Sequence, residues 1–106
     1  MAINNVIREA VECLNGAVPA GSSVILFGSH ARGDARDDSD IDLLVIEPEV
    51  HDRSLETIRL ATLLGRRLIP ADVVVMSRSA FERQREVPNT LAWRAVREGS
   101  AHELVG

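Results

Sequence analysis

The chain has 106 residues, of which 45% are hydrophobic and 26% charged, and its formal net charge at pH 7 is -4. This length predicts a single domain over 1–106, because globular domains most often contain about 100 to 150 residues. The acidic balance argues against broad binding to a nucleic-acid backbone, and no apolar run is long enough to span a bilayer. The start of the sequence does not resemble a signal peptide, so we expect a cytoplasmic protein with no membrane partner.

The counts of cysteine, histidine and lysine exclude several kinds of site. A single cysteine, Cys13, excludes a disulfide scaffold, and the three histidines are too scattered for a zinc site. Every basic residue is arginine. The absence of lysine excludes both a P-loop lysine and Schiff-base chemistry.

Apolar residues at helical spacing predict a first helix near the N-terminus. We expect Asn4 or Asn5 to cap this helix and Gly16 to end it. The residues of the apolar face are Ile3, Val6, Ile7, Ala10, Val11 and Leu14.

Two apolar runs that follow the first helix predict two strands. Residues 22–27 form the first run, which ends at Gly28. Residues 28–39 are rich in Gly, Asp and Arg, and they predict a loop that contains about one helical turn. The second strand is predicted over 40–46 and ends before Pro48.

A second amphipathic pattern predicts a helix from about Asp52 to Arg67. Its apolar face is expected to be formed by Leu55, Ile58, Thr62 and Leu68 or Ile69, and the segment from Gly65 to Pro70 is expected to end it.

The C-terminal half predicts one more strand and two more helices. Residues 71–76 are too rich in β-branched side chains and too few to be anything but a strand. Ser79 and Glu82 have the spacing of a capping box for a short helix, and a last helix is expected over 90–98. The order of elements predicts an α/β (α+β) fold, a small mixed sheet with helices on one face.

Acidic side chains lie at the start of two of the predicted strands. Asp40 and Asp42 share one face of a strand about 6.6 Å apart, a spacing at which two carboxylates can hold a pair of divalent ions. Asp72 can join them if the third strand lies beside the second. Oxygen ligands with no His or Cys select hard ions such as Mg²⁺. The alternative is that Asp40 ends a turn, that Asp42 lies on the solvent side of an edge strand and that Asp72 faces solvent.

The turn after the first strand has the residues that a phosphate group needs. Gly28 lets backbone N–H groups approach an anion, and Ser29 adds a hydroxyl at the start of a helical turn. Arg32 adds a fixed cation with a geometry suited to phosphate, although a solvated loop arginine is an equally good interpretation of it alone. His30 lies between these residues and is expected to be structural.

Two motifs together resemble the signature of the minimal nucleotidyltransferases, the MNT group of the DNA polymerase beta superfamily. The first is Gly-Ser-His-Ala-Arg-Gly at 28–33, and the second is Ser-Asp-Ile-Asp-Leu-Leu-Val at 39–45. The likeness extends over nearly the whole chain, including the acid at Asp72 and the Arg-Glu-Gly at 97–99 that resembles the usual end of such domains. The tail at 100–106 departs from the short apolar strand with Tyr that is usual there.

This resemblance implies an α-phosphoryl transfer with ATP as the donor of AMP and two Mg²⁺ ions as cofactors. It implies Asp40 and Asp42 as ligands of both ions. It implies Asp72 as a ligand of the catalytic ion and as the base or orienting group for the attacking hydroxyl. It also implies the Gly28–Ser29 turn and Arg32 as contacts of the triphosphate.

The acceptor hydroxyl is expected on a partner protein, because 106 residues leave no room for a second, acceptor-binding domain. Stand-alone members of the group resemble the antitoxins of HEPN/MNT toxin-antitoxin pairs, which adenylylate a tyrosine of the HEPN ribonuclease toxin. This sequence has no Tyr, so a tyrosine acceptor lies on another molecule. Two alternatives stay open: a non-catalytic module that neutralises its partner by contact, and a nucleotidyltransferase that acts on a small molecule.

Overall fold

The computed structural model describes residues 3–36 and 39–103. The elements in chain order are α1 (Ile3–Asn15), β1 (Ser23–Phe27), α2 (Ser29–Arg32), β2 (Ile41–Glu47), α3 (Arg53–Arg66), β3 (Ala71–Ser77), α4 (Arg78–Gln84), α5 (Leu91–Glu98) and β4 (Ser100–Glu103). Within these ranges, no helix combines the length and the apolar character needed to cross a membrane.

The four strands form one mixed sheet in the order β3-β2-β1-β4. Strands β2 and β3 are parallel, and α3 is the crossover between them, whereas β1 is antiparallel to both of its neighbours. The predicted fold class, a small mixed α+β sheet, is therefore confirmed. The tail departs from the family pattern in sequence, but its residues 100–103 do form a strand beside β1. Residues 104–106 lie outside the described residues.

Helices cover both faces of the sheet, so the expectation of helices on one face is wrong. The buried side chains that join α1 and α3 to one face are Ala10, Leu14, Val18, Val24, Leu26, Ile41, Leu43, Val45, Leu60, Leu64, Ile69, Val73 and Val75. Those that join α4 and α5 to the other face are Ile25, Phe27, Leu44, Ile46, Met76, Phe81, Ala92 and Ala95. The reason is that β1, β2 and β3 are continuous apolar runs, which need cover on both faces.

Helix α3 buries a different face from the one predicted. Leu60 and Leu64 are its buried residues, whereas Leu55 and Ile58 are 65% and 61% exposed. Leu60 and Leu64 lie four residues apart, on the face that packs against β3. The predicted start is close to the observed one, because Oδ1 of Asp52 accepts a hydrogen bond of 3.0 Å from the amide of Leu55.

Two predicted helix caps are also wrong. Ser77 caps α4 by accepting a hydrogen bond of 3.2 Å from the amide of Ala80, and Ser79 lies inside the helix. The strand β3 runs on to Ser77 and turns directly into α4, so the cap falls two residues earlier than the capping-box spacing indicates. Asn4 and Asn5 likewise lie inside α1.

A buried carboxyl group lies at the C-terminal end of β2. Glu47 is only 3% exposed and shares a hydrogen bond with Glu56, whose two oxygens accept bonds of 2.8 and 2.7 Å from Arg59. Burial, and then the bond and charge of Glu56, raise the pKa of Glu47 to about 7. The bonds from Arg59 lower the pKa of Glu56 to about 2.

Replacing Glu47 by Gln is expected to remove a pH-dependent loss of stability. The ordinary pKa of Glu47 is 4.5, so between pH 4.5 and 7 the folded protein binds a proton more tightly than the unfolded chain, and stability falls as pH rises. Glu56 has the opposite effect between pH 2 and 4.5, where its contribution is lost as pH falls. Above pH 7, Glu47→Gln should raise the free energy of unfolding by about 3 kcal/mol.

Urea denaturation at a series of pH values measures this effect. Glu49→Gln, which changes an exposed glutamate two residues away, is the matched control and should follow the wild-type profile. An unchanged slope between pH 4.5 and 7 in Glu47→Gln would show that Glu47 is not the titrating group.

Candidate active site

The register of the two parallel strands brings the predicted acidic residues to one end of the sheet. Asp42 on β2 pairs directly with Asp72 on β3, and adjacent strands lie about 4.8 Å apart. Asp40 immediately precedes β2 at the same end. These three residues were predicted to meet only if the third strand lay beside the second, and it does.

The position of β2 also decides which face these carboxylates use. Asp42 shares a strand face with Leu44 and Ile46, which pack under α4 and α5. Since β2 lies between β1 and β3, Asp42 is on an interior strand, and the alternative of an edge strand is wrong. Asp42 is half-buried, whereas Asp40 and Asp72 are exposed.

The surroundings of Asp42 raise the pKa of its carboxyl group. Loss of hydration raises its pKa most, and repulsion from Asp72 and then from Asp40 raises the pKa further. His30 and Arg32 oppose these effects without cancelling them. A cation placed among the carboxylates would relieve this repulsion.

The residues fit a hard divalent cation by their chemistry. No three His, Cys, Asp or Glu side chains converge closely enough to hold a metal ion by themselves in the part of the chain that the structure describes. Carboxylates without a counter-ion repel one another, which keeps such a group open. The donors here are all carboxylate oxygens, which suit Mg²⁺ when water and substrate phosphate supply the remaining ligands.

The turn after β1 is built around Asp42. Gly28 has a φ of +78°, a region that L-residues with a side chain rarely adopt. A Cβ atom at Gly28 would overlap Oδ2 of Asp42 and would lie 2.9 Å from its Cγ. The turn therefore needs Gly both for its backbone conformation and for the close approach of the Asp42 carboxylate.

Glu98, a residue that the site prediction does not include, reaches this turn from the end of α5. Its Oε1 accepts a hydrogen bond of 3.1 Å from the amide of Gly28, and its Oε2 lies 3.1 Å from Nη1 of Arg32. Arg32 also pairs with Asp34 through Nε, at 3.3 Å. Glu98 is 70 residues from Gly28 in the sequence, so the only signal for it is the Arg-Glu-Gly resemblance at 97–99.

The two remaining residues of the turn have distinct positions. Ser29 is the first residue of α2 and is half-buried. Nε2 of His30 hydrogen-bonds the carbonyl oxygen of Ser39 at 2.8 Å, which ties α2 to the segment just before Asp40. The expectation of a structural His30 agrees with this contact.

A cavity of about 940 Å³ lies at the opposite end of β2 from Asp42. Glu47, Glu56 and Arg59 are among its lining residues, and none of the predicted site residues borders it. The carboxylates and the turn therefore form a separate, open site.

A family model for the nucleotidyltransferase domain matches residues 6–95, which is most of the chain. No curated protein matches the sequence.

Three solved structures are similar to this chain. A crystal structure of a toxin-antitoxin with AMP-PNP is 24% identical, has a TM-score of 0.64, and is matched over 89% of this chain and 69% of its own. A mutant of the toxin-antitoxin MntA-HpeT is 23% identical, has a TM-score of 0.62, and is matched over 99% of this chain and 74% of its own. A candidate nucleotidyltransferase from Sulfolobus solfataricus is 28% identical, has a TM-score of 0.56, and is matched over 74% of this chain and 70% of its own. At their low identity, the two toxin-antitoxin structures show a shared fold.

Proposed function

This chain belongs to the nucleotidyltransferase domain family, and from that premise we propose that it transfers AMP from ATP to a tyrosine hydroxyl of a HEPN-type toxin and thereby acts as an antitoxin. The observation that carries the proposal is the direct pairing of Asp42 with Asp72 beside a turn that only Gly28 can form. The carboxylates of Asp42 and Asp72 therefore lie next to the Gly28 turn, the proposed phosphate-binding turn, at one end of the sheet.

We assign the metal ligands to the three carboxylates of this group. Asp40 and Asp42 would hold both Mg²⁺ ions, and Asp72 would hold one of them. When bound, Mg²⁺ neutralises triphosphate charge and stabilises the attacking and leaving oxygens of an in-line displacement. This assignment is supported by the all-oxygen donor set and by the burial and mutual repulsion that together raise the pKa of Asp42.

The side chains of the site have separate tasks in the transfer. Asp72 accepts the proton of the acceptor hydroxyl, whose oxygen then forms a bond to the α-phosphorus. The bond between the α-phosphorus and the bridging oxygen breaks, and pyrophosphate leaves. Ser29 and Arg32 hold the triphosphate. Arg32 can do so because it has further N–H groups besides the two that bind Asp34 and Glu98. Gly28 leaves room for the close approach of phosphate and of Asp42.

The choice of acceptor is supported by the similar structures and by composition. Two of these structures are toxin-antitoxin pairs, and one of them contains AMP-PNP, an analogue of ATP. The present sequence has no Tyr of its own to modify. A phenol, with a pKa near 10, loses its proton more easily than an aliphatic alcohol does.

Incubation with the protein encoded by the neighbouring reading frame, together with ATP and Mg²⁺, tests the proposal. Intact-mass measurement should show one or more AMP groups on that protein, and mapping should place them on tyrosine. Asp40→Asn should add none. The proposed AMP transfer is wrong if the mass of the neighbouring protein stays unchanged while the Asp40→Asn variant still suppresses its toxicity. Contact alone would then neutralise the toxin.

A further inference from the structure

One carboxylate bridges the two phosphate-binding parts of the proposed site. Glu98 accepts a hydrogen bond from the amide of Gly28 with one oxygen and pairs with Arg32 through the other, each at 3.1 Å. Its side chain is 22% exposed, whereas Asp34, the other acidic partner of Arg32, is 62% exposed. The bridge is therefore the more enclosed of the two contacts of Arg32.

The end of α5 is held against β1, so the position of Glu98 is well defined. A Cβ atom at Gly99 would overlap the carbonyl oxygen of Ala95 and the Ile25 side chain, and would lie 2.6 Å from the carbonyl oxygen of Leu26. Only a residue without a side chain fits there. Because β1 leads directly into Gly28, the same packing places Glu98 next to the turn.

The charge of Glu98 has the wrong sign for direct contact with a triphosphate. By charge alone, an anion beside the turn weakens the binding of another anion, and removing it should strengthen binding. Its two contacts suggest a different effect, since they restrain the backbone of Gly28 and the guanidinium group of Arg32 before the nucleotide arrives. The two effects predict opposite changes in affinity.

We propose that Glu98 is a positioning residue of the nucleotide site, which holds the Gly28 turn and Arg32 in the arrangement that receives the triphosphate. This proposal rests on the proposed function, because it presupposes that the turn binds ATP. Glu98 itself does not touch the reacting atoms.

Calorimetric titration with AMP-PNP and Mg²⁺ tests the role of Glu98. Glu98→Ala loses both contacts and should raise Kd about ten-fold or more. Glu98→Gln keeps an acceptor for the Gly28 amide but loses the ion pair, and it should give a smaller rise. Glu86→Ala, which removes an exposed acid of the same charge, is the control and should bind as the wild type does. Thermal melts establish that each variant is folded.

A double-mutant cycle with Arg32→Ala separates positioning from a general structural effect. Once Arg32 is absent, Glu98→Ala should raise Kd less than it does in the wild type, because only the contact with the Gly28 amide is then left to lose. If folded Glu98→Ala and Glu98→Gln bind AMP-PNP as tightly as the wild type or more tightly, the positioning role of Glu98 is overturned, while the proposed function is not. If the wild type binds no AMP-PNP, the proposed function fails and this inference fails with it.

Discussion

Replacing Asp42 by Asn is expected to lower nucleotidyl transfer on the order of a thousand-fold while leaving the protein at least as stable as the wild type. Asn removes the charge that the metal requires but keeps the size of the side chain. The raised pKa of Asp42 means that its charged form is less stable in the folded protein than in the unfolded chain. Loss of that charge also ends the repulsion from Asp72 and Asp40, so the melting temperature should stay the same or rise.

Pyrophosphate release and thermal melting measure the two halves of this expectation. Asp40→Asn should lose transfer in the same way, and Glu86→Gln, which lies outside the site, should lose none. A cooperative fold with no transfer is the expected combination for Asp42→Asn. Collapse of the fold in Asp42→Asn and Asp40→Asn would instead show that the two carboxylates are structural.

Replacing Gly28 by Ala is expected to reduce both stability and transfer, for two separate reasons. A residue with a side chain at a φ of +78° and a ψ of -156° is strained by about 1 to 3 kcal/mol. The new Cβ would also overlap the Asp42 carboxylate, and the total loss of stability should reach about 2 to 4 kcal/mol. Displacement of Asp42 should lower transfer about a hundred-fold.

Gly33 offers a matched control for this substitution. Its φ is +84°, but a Cβ at Gly33 would meet nothing within 4 Å. Gly33→Ala should therefore show backbone strain without a new side-chain contact. Because ψ is 13° at Gly33 and -156° at Gly28, the larger loss expected for Gly28→Ala contains both its greater backbone strain and the contact with Asp42. Urea denaturation and pyrophosphate release provide the comparison. Equal losses in both variants would show that the contact between Gly28 and Asp42 has no special importance.

The sequence by itself was sufficient to predict the family and the positions of three strands. The motifs at 28–33 and 39–45 predict the nucleotidyltransferase family, and the match over residues 6–95 confirms it. The strands β1, β2 and β3 could also be recognised from their apolar runs, because strands and turns depend on residues that are close in sequence. The roles of Asp40, Asp42 and Asp72 as metal ligands stay predictions.

Only the tertiary structure decided which distant residues meet. The pairing of Asp42 with Asp72 depends on the parallel register of β2 and β3, and the strand at 100–103 exists because β1 offers it a free edge. Helices on both faces, and the contact of Glu98 with Gly28, depend on how α5 packs against β1. Spacing along a chain determines the face on which a side chain lies. The helix or strand that covers that face is selected by packing between residues far apart in the sequence, so no local sequence pattern predicts it.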